Sequence, residues 1–458
     1  MNAQSSNPVI LPVITVQPTV GEVIEEVNSG IIPSDTFWTS CYKTGEPSVH
    51  ARINVELDER DRNLVRLKPD TEGVNFQAKK EPGASRSYRI SVPSFHISDA
   101  RVFQPIQEYE DSKTLNPPNP KRVEAFDVSP DGSRFATGFL DGSVLVYPTS
   151  PVRESDSFSP RRVTSTGSKL FSRPHASSVT TLQFFPSSKV LLTGGLDFSL
   201  SILPADLPDT PNVTTEKTVE AVRTLRGHKR AITSTAIIGV GRNVLSSSLD
   251  STIKLWDVPS GTEITSLGAS SAILATSTGL KASSGGDVLP SDEREVPEVQ
   301  SNAVFAGLRD GTFEVFDLAT KKSAFRSHPP ARAQQLTAIA YSSQRHTLAT
   351  GSNTGLVTIY DVRNLETPLT SFVRQGGEIL DLAAFTAGAS DSLGLAVATS
   401  DGLPFVARIG ADGTIQVDEL IGVDCDPVRH VRVLGEVEQG GIWLSCDDSI
   451  IRRYAYQW

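Results

Sequence analysis

Cysteine is scarce in this 458-residue chain: Cys41, Cys425 and Cys446 are all it has. No two of them stand at a metal-knuckle, redox or disulfide spacing. They read as reduced thiols, Cys425 and Cys446 with structural roles near the end of the chain. Long apolar runs are also missing. No stretch of about eighteen apolar residues exists, so no membrane-spanning helix is expected. The apolar start Val9–Val16 lacks preceding basic residues and is broken by Pro12, unlike a secretory leader. The expected compartment is therefore cytosol or nucleus. A basic excess is absent as well. The net charge of −10 argues against general nucleic-acid binding, which needs cations to displace counterions; it suits solubility or a basic partner.

Catalytic and cofactor signatures are equally thin. The seven histidines (His50, His96, His175, His228, His328, His346 and His430) show no HxH or HxxxH spacing, so no metal site is expected. No glycine-rich loop ends in Gly-Lys-Ser or Gly-Lys-Thr, so no nucleotide cradle is expected either. The chain reads as a non-enzyme without a cofactor.

What is present is a repeat. Residues Gly227–Asp257 open with Gly-His, close with Trp-Asp, and hold three short apolar runs separated by turn residues. This is the signature of one four-stranded WD-repeat propeller blade. Asp250 sits in a tight turn where it can accept from turn amides and the His228 ring, and Ser248 can bridge that ring to the Trp256 indole. His228, Ser248, Asp250 and Trp256 thus form an expected structural network of mutually satisfied polar groups. His175 and His328 precede their blades' inner strands and read as imperfect copies of His228.

The frame recurs as a turn residue followed six positions later by a bulky one: Asp141–Tyr147, Asp197–Leu203, Asp250–Trp256, Asp310–Phe316 and Thr354–Tyr360. Degraded copies follow at Asp401–Ala407 and Asp447–Arg453. Successive turns lie 56, 53, 60, 44, 47 and 46 residues apart, near or above the ~40–45 residues of a blade. The expected fold is all-β: a seven-bladed WD-repeat β-propeller over residues 121–458, preceded by a small N-terminal domain or arm. One blade cannot bury both its faces, so the array must close. The last repeat runs out of chain after its third strand. Ser87–Ile97 alternates well enough either to supply the missing strand or to belong wholly to the N-terminal domain.

The rest divides by composition. Residues 1–30 are expected to be loosely ordered. Residues 31–120 form the arm and linker, with Asn116–Pro120 as a stiff connector. Ser150–Pro174 and Leu280–Gln300 read as flexible loops, with Arg153, Arg161, Arg162 and Lys169 as solvated charges. Trp38 and Tyr42 read as core of the small domain rather than as anchors for a partner.

Two stretches carry a family resemblance. Thr224–Ile264, with its Ile-Thr-Ser-Thr-Ala-Ile-Ile and Gly-Arg-Asn-Val-Leu-Ser segments, resembles a blade of the proteasomal ATPase-associated factor family in its fungal form. Phe37–His50 is similar to the segment before the propeller in those proteins. The resemblance implies a non-catalytic assembly chaperone, monomeric before its client binds. It would hold an ATPase subunit of the proteasome regulatory particle by the subunit's C-terminal domain and delay docking on the core particle. On the face bearing the repeated turns, the late blades contribute Glu378, Asp401, Asp424, Asp426, Asp447 and Asp448, an acidic sector expected to steer a basic partner. The other reading is a general WD-repeat scaffold, such as a ubiquitin-ligase substrate receptor or a ribosome-assembly factor.

Overall fold

The computed structural model describes residues 7–58, 65–80, 86–115, 119–152, 157–164, 168–207, 216–281, 292–387, 392–424, 426–435 and 441–456. Among them, seven sheets repeat one plan, each built outward from a first strand through antiparallel neighbours. The first strands are Val123–Val128, Val179–Phe184, Ile232–Ile238, Ile273–Leu280, Leu336–Ser342, Ile379–Ala387 and Val428–Leu434. Each packs beside the next, and the last packs beside the first. The sheets therefore form a closed β-propeller. Second strands such as Asn243–Ser248 and Gly441–Cys446 are buried along their whole length. This explains why they read as runs of small and apolar residues rather than as alternation.

The turn joining second and third strands is the same object seven times. An aspartate pivot caps the amide two residues on: Ser143 donates to Asp141 at 3.1 Å, Ser199 to Asp197 at 3.2 Å, Thr252 to Asp250 at 3.0 Å, Thr312 to Asp310 at 3.1 Å and Leu403 to Asp401 at 3.2 Å. In the fifth blade, whose pivot is Thr354, Leu356 N donates to Ser352 Oγ at 3.1 Å instead. The residue after each pivot takes a left-handed conformation: Gly142, Phe198, Ser251, Gly311, Gly355, Gly402 and Ser449. In register, the residue six after the pivot faces the residue six before it, as in Phe135 with Tyr147 and Val244 with Trp256. The last blade departs by one residue from the expected frame. Its strands pair Ile442 with Tyr454, and Ile450 donates to Asp448 at 2.9 Å. The frame there is Asp448–Tyr454, not Asp447–Arg453. Two consecutive aspartates gave the sequence no way to choose between them.

Closure uses a different segment from Ser87–Ile97. The fourth strand of the last blade is Gln107–Glu110, antiparallel to Ile451–Tyr454. Tyr109 stacks on Trp443 with ring centroids 5.5 Å apart and meets Phe135 of the first blade edge-on at 5.1 Å. Ser87–Ile97 instead lies in a hairpin of Arg86–Val92 and Ile97–Phe103. Its alternate residues Tyr88, Ile90 and Val92 are buried in the N-terminal core, which outcompetes the blade edge for them. Val102 and Phe103 run parallel to Glu419 and Leu420, so the hairpin extends the sixth blade. Asp418 locks that junction: Arg101 donates to it at 2.5 and 3.1 Å, Arg408 at 2.8 and 3.0 Å, and Tyr456 at 2.5 Å.

Residues 9–28 are ordered, contrary to the loose N-terminus expected. Val9–Ile10 runs parallel to Asn364–Val373 on the fifth blade, and Val13–Val16 pairs with Ser34–Tyr42. Helix Val20–Asn28 buries Val20, Val23, Ile24 and Val27, a helical i, i+3, i+4, i+7 stripe hidden among prolines and serines. The helix packs on an antiparallel sheet of Val13–Val16, Ser34–Tyr42, Val49–Leu57 and Val65–Pro69.

The two supposed flexible loops also contribute structure. Lys169–Ser172 is the fourth strand of the first blade, and Arg161–Thr164 runs parallel to Gln107–Glu110 as a fifth strand on the last. Lys169 is buried, its ammonium paired with Asp111. In the other loop, Arg294 O accepts from Asn243 Nδ2 at 3.0 Å and Val296 N donates to Asn243 Oδ1 at 2.7 Å. One buried side-chain amide thus pins that segment to the third blade. Asn116–Pro118 of the expected stiff connector lies outside the described residues.

Candidate docking face

The repeated turns and the segments entering each first strand share one face, and the third blade shows how it is held. His228 Nδ1 lies 3.0 Å from Asp250 Oδ2, His228 Nε2 lies 2.8 Å from Ser246 Oγ, and Trp256 Nε1 donates to Ser246 Oγ at 2.9 Å. The bridge is Ser246, not Ser248. Both serines lie on the same side of the strand, two residues apart, and the His228 ring reaches one pleat deeper than the sequence suggested. Ser248 Oγ instead donates to Arg230 O at 3.0 Å and accepts from Asp250 N at 3.1 Å. Burial pushes the His228 pKa down against the pull of Asp250. A neutral ring then donates to Asp250 through Nδ1 and accepts from Ser246 through Nε2. Burial works against the Asp250 charge, but Thr252, the Lys229 amide and His228 together hold its pKa down to about 2.

His175 repeats the arrangement, with Nδ1 3.0 Å from Asp197 Oδ1 and Nε2 2.8 Å from Thr193 Oγ1; Leu203 replaces the indole. His328 does not repeat it. It is exposed and 3.3 Å from Glu366, and Asp310 is held by Thr312 and by Arg326 at 2.8 Å.

The six acidic candidates fall into two groups. Asp424, Asp426, Asp447 and Asp448 lie together beside the last blade, close enough that burial, then Asp448, Asp447 and Asp424, raise the Asp426 pKa. Asp447 is paired with Arg429 at 2.6 and 2.9 Å, and Asp448 with Arg452 at 2.6 Å. Glu378 belongs to the neighbouring sixth blade, where its amide donates to Ser400 Oγ at 2.9 Å, and its charge reaches Arg429. Asp401 is the turn pivot of the sixth blade. Among the described residues, Glu378, Asp424 and Asp426 make no ion pair. Cys425, between the last two, lies outside the described residues. The other two thiols, Cys41 and Cys446, are buried, and burial pushes both up to about 12.

Sequence reasoning missed the lock on the ring's seam. Arg432 of the last blade donates to Asp127 of the first at 3.0 Å and to Asp381 of the sixth at 2.6 Å, while His430 Nε2 lies 3.1 Å from Glu124 O. Asp127, Asp381, His430 and Arg432 help line a central channel of about 580 Å³. Arginine and aspartate on first strands of different blades carry no local signal of meeting. Trp38, expected in a core, is instead 46% exposed; its strand neighbours Phe37 and Thr39 face the buried side. Among the described residues, no group of three or more His, Cys, Asp or Glu could hold a metal ion, and no helix is long and apolar enough to cross a membrane.

Residues 111–147, 167–202 and 219–257 match the family described as WD domain, G-beta repeat. These spans fall in the first three blades, which therefore carry WD repeats. Three relatives are similar over parts of it. The chain is 23% identical to pre-mRNA-processing factor 19 of Dictyostelium discoideum over 54% of its length. It is 34% identical to proteasomal ATPase-associated factor 1 of Bos taurus over 23%, and 28% identical to a ribosome biogenesis protein WDR12 homolog of Drosophila yakuba over 30%. The matches span 41%, 24% and 30% of those relatives' own lengths, so the chain aligns with less than half of each.

Proposed function

We propose that this protein is a non-catalytic assembly chaperone that holds an ATPase subunit of the proteasome regulatory particle by its C-terminal domain and delays docking on the core particle. The observation that carries the proposal is the acidic corner of the last blade, where Asp424 is exposed and Asp426, Asp447 and Asp448 are half-buried. Asp424 and Asp426 stand beside Asp447 and Asp448 and make no ion pair among the described residues, and the Asp426 pKa is raised by burial first and then by the charges of Asp448, Asp447 and Asp424. A basic surface on a client would relieve the repulsion among those charges and would associate faster for it. The similarity to a proteasomal ATPase-associated factor supports naming the client. A rigid ring with loops on one face supplies a platform for steric exclusion, with nucleotide hydrolysis left to the client. The working compartment is the cytosol, with the nucleus as a second site.

The test replaces Asp424 and Asp426 together by lysine and measures capture of purified ATPase subunits at two salt concentrations. The proposal expects weaker capture and a flatter salt response. Unchanged capture at both salts rejects the acidic corner as the client site. A second reading, a general scaffold for another assembly, is favoured by the longer matches to pre-mRNA-processing factor 19 and the match to WDR12 homologs. Mass spectrometry of particles co-purifying with the tagged protein separates the two.

A further inference from the structure

The second blade breaks a rule that the other six keep. Where its sister turns place glycine or serine after the pivot, it places Phe198, at φ 67°. A bulky side chain in the left-handed region is an outlier, and strain of this kind persists mainly where binding or switching uses it. No core claims the ring, which is 44% exposed. Beside it in the same turn Leu196 is 41% exposed, and in the first blade's turn Leu140 is 65% exposed. One segment ties the two turns together. A Cβ on Gly142 would fall 2.1 Å from His175 O, Ala176 N donates to Asp197 at 3.0 Å, and Leu196 N donates to Ser178 O at 2.9 Å. The three apolar side chains therefore occupy adjoining turns of one face.

The charges around them have the opposite sign to the chain as a whole. Lys121, Arg173, Arg226, Lys229 and Arg230 are exposed. Among the described residues, Arg226, Lys229 and Arg230 make no ion pair, and Arg173 donates to a backbone oxygen, that of Asp141, at 3.0 Å. Arg226 pairs in register with Ser199, next to Phe198. The nearby carboxylates already have partners: Asp141 has Ser143 and Lys121, Asp197 has His175 and Ser199, and Asp250 has His228 and Thr252. An apolar cluster beside three cations without ion pairs among the described residues, Arg226, Lys229 and Arg230, in a chain of net charge −10, selects its complement.

We propose that the turn face of the first three blades is a second docking surface, which binds an acidic segment of a partner protein through large apolar anchors seated on Phe198, Leu196 and Leu140. The claim is independent of the ATPase reading, which rests on the last blade.

The test uses the full chain and three fluorescent helical peptides: a glutamate-rich one with Leu and Phe anchors, its lysine counterpart, and an acidic one with serine in place of the anchors. The first should bind at least about tenfold more tightly than the other two. Phe198→Gly should weaken it about tenfold while melting no lower than the parent, because glycine relaxes the turn. A side chain needed only for folding would give the reverse. Leu140→Ser with Leu196→Ser provides the same readout without touching the strained position. Lys229→Glu with Arg230→Glu should weaken binding and flatten its salt dependence, whereas Asp424→Lys with Asp426→Lys should leave it unchanged. Equal binding of the three peptides overturns the proposal, as does indifference to both apolar variants. It also falls if a single-stranded oligonucleotide binds more tightly than the acidic peptide, or if the face proves to join two copies of this chain in sedimentation.

Discussion

Replacing Ser246 by alanine should destabilise the protein far more than replacing Ser248, although the two serines are equally buried and lie on one strand. Ser246 Oγ is the hydrogen-bonding bridge between the Trp256 indole and the His228 ring. Its loss strands an indole N–H on a side chain that is 1% exposed and a ring nitrogen on one that is 8% exposed. A buried polar group without a partner costs about 1–3 kcal/mol. Two of them, partly relaxed by a shift of the ring, put Ser246→Ala at about 2–4 kcal/mol. Ser248 Oγ contacts only the backbone of the exposed Arg230 and the half-buried Asp250 in the turn and leaves no buried aromatic donor unpaired, so Ser248→Ala should cost about 1 kcal/mol. Urea titrations followed in parallel by tryptophan emission and far-ultraviolet dichroism give the comparison, provided the two probes coincide. A Ser248→Ala loss equal to or greater than that of Ser246→Ala would refute the assignment of the bridge.

Tyr109→Ala should cost about 3–5 kcal/mol, as for a large aromatic in a core, because its ring joins Trp443 of the last blade to Phe135 of the first. Hydrogen exchange should then show opening concentrated in Ile451–Tyr454, and uniform loosening of all blades would contradict its role in closure. Burial drives the His430 pKa down from 6.5 to about 4. A depressed folded-state value means that the stabilising contribution is complete above pH 6.5 and drains away as pH falls toward 4, by up to about 3 kcal/mol. The pH profile of His430→Gln stability should be flatter than the parent's across that window, and parallel profiles would remove the assignment. Cys41 and Cys446 should resist a thiol reagent in the native protein and react once urea unfolds it, since their thiols are buried and pushed up to about 12. Labelling of either under native conditions, read by peptide mass, would show that its packing is looser than described.

The repeat frame was legible because it is local. A turn aspartate, its capped amide and the facing pair six residues to either side all lie within one hairpin, so spacing alone finds them. The frame slipped only at Asp447–Asp448, where either residue fits the pattern. His175 was readable for the same reason. His328 failed because Asp310, unlike Asp197, takes Arg326 as its partner. The parts that stayed hidden join distant segments. Nothing within Gln107–Glu110 says that it completes the blade ending at Tyr454, and a solvated lysine looks no different from Lys169 until Asp111 arrives from another strand. The acidic candidates were legible as charges but not as free charges, since Arg429 and Arg452 had to be located before Asp447 and Asp448 could be called committed.

The outer edges of the blades divide the ring unequally. The fifth, sixth, seventh and first blades each carry an added parallel strand from a remote segment: Val9–Ile10, Ile97–Phe103, Arg161–Thr164 and Glu216–Thr218. Among the described residues, the second, third and fourth blades have four strands each. An extra strand covers a row of backbone donors and acceptors that would otherwise pair with another chain, and here it also ties the N-terminal segments to the half of the ring that contains the closure seam. The acidic corner therefore sits on a braced sector, held by Asp418, Glu419 and Arg432 as well as by the added strands. Phe198 and its basic surroundings lie at the start of the unbraced one. A partner that grips the braced sector meets a nearly rigid surface and loses little to reordering, whereas one that grips the second and third blades can also reach open strand edges. The two sectors differ in charge, stiffness and edge exposure, so a single client spanning both would need opposite charges at its two ends.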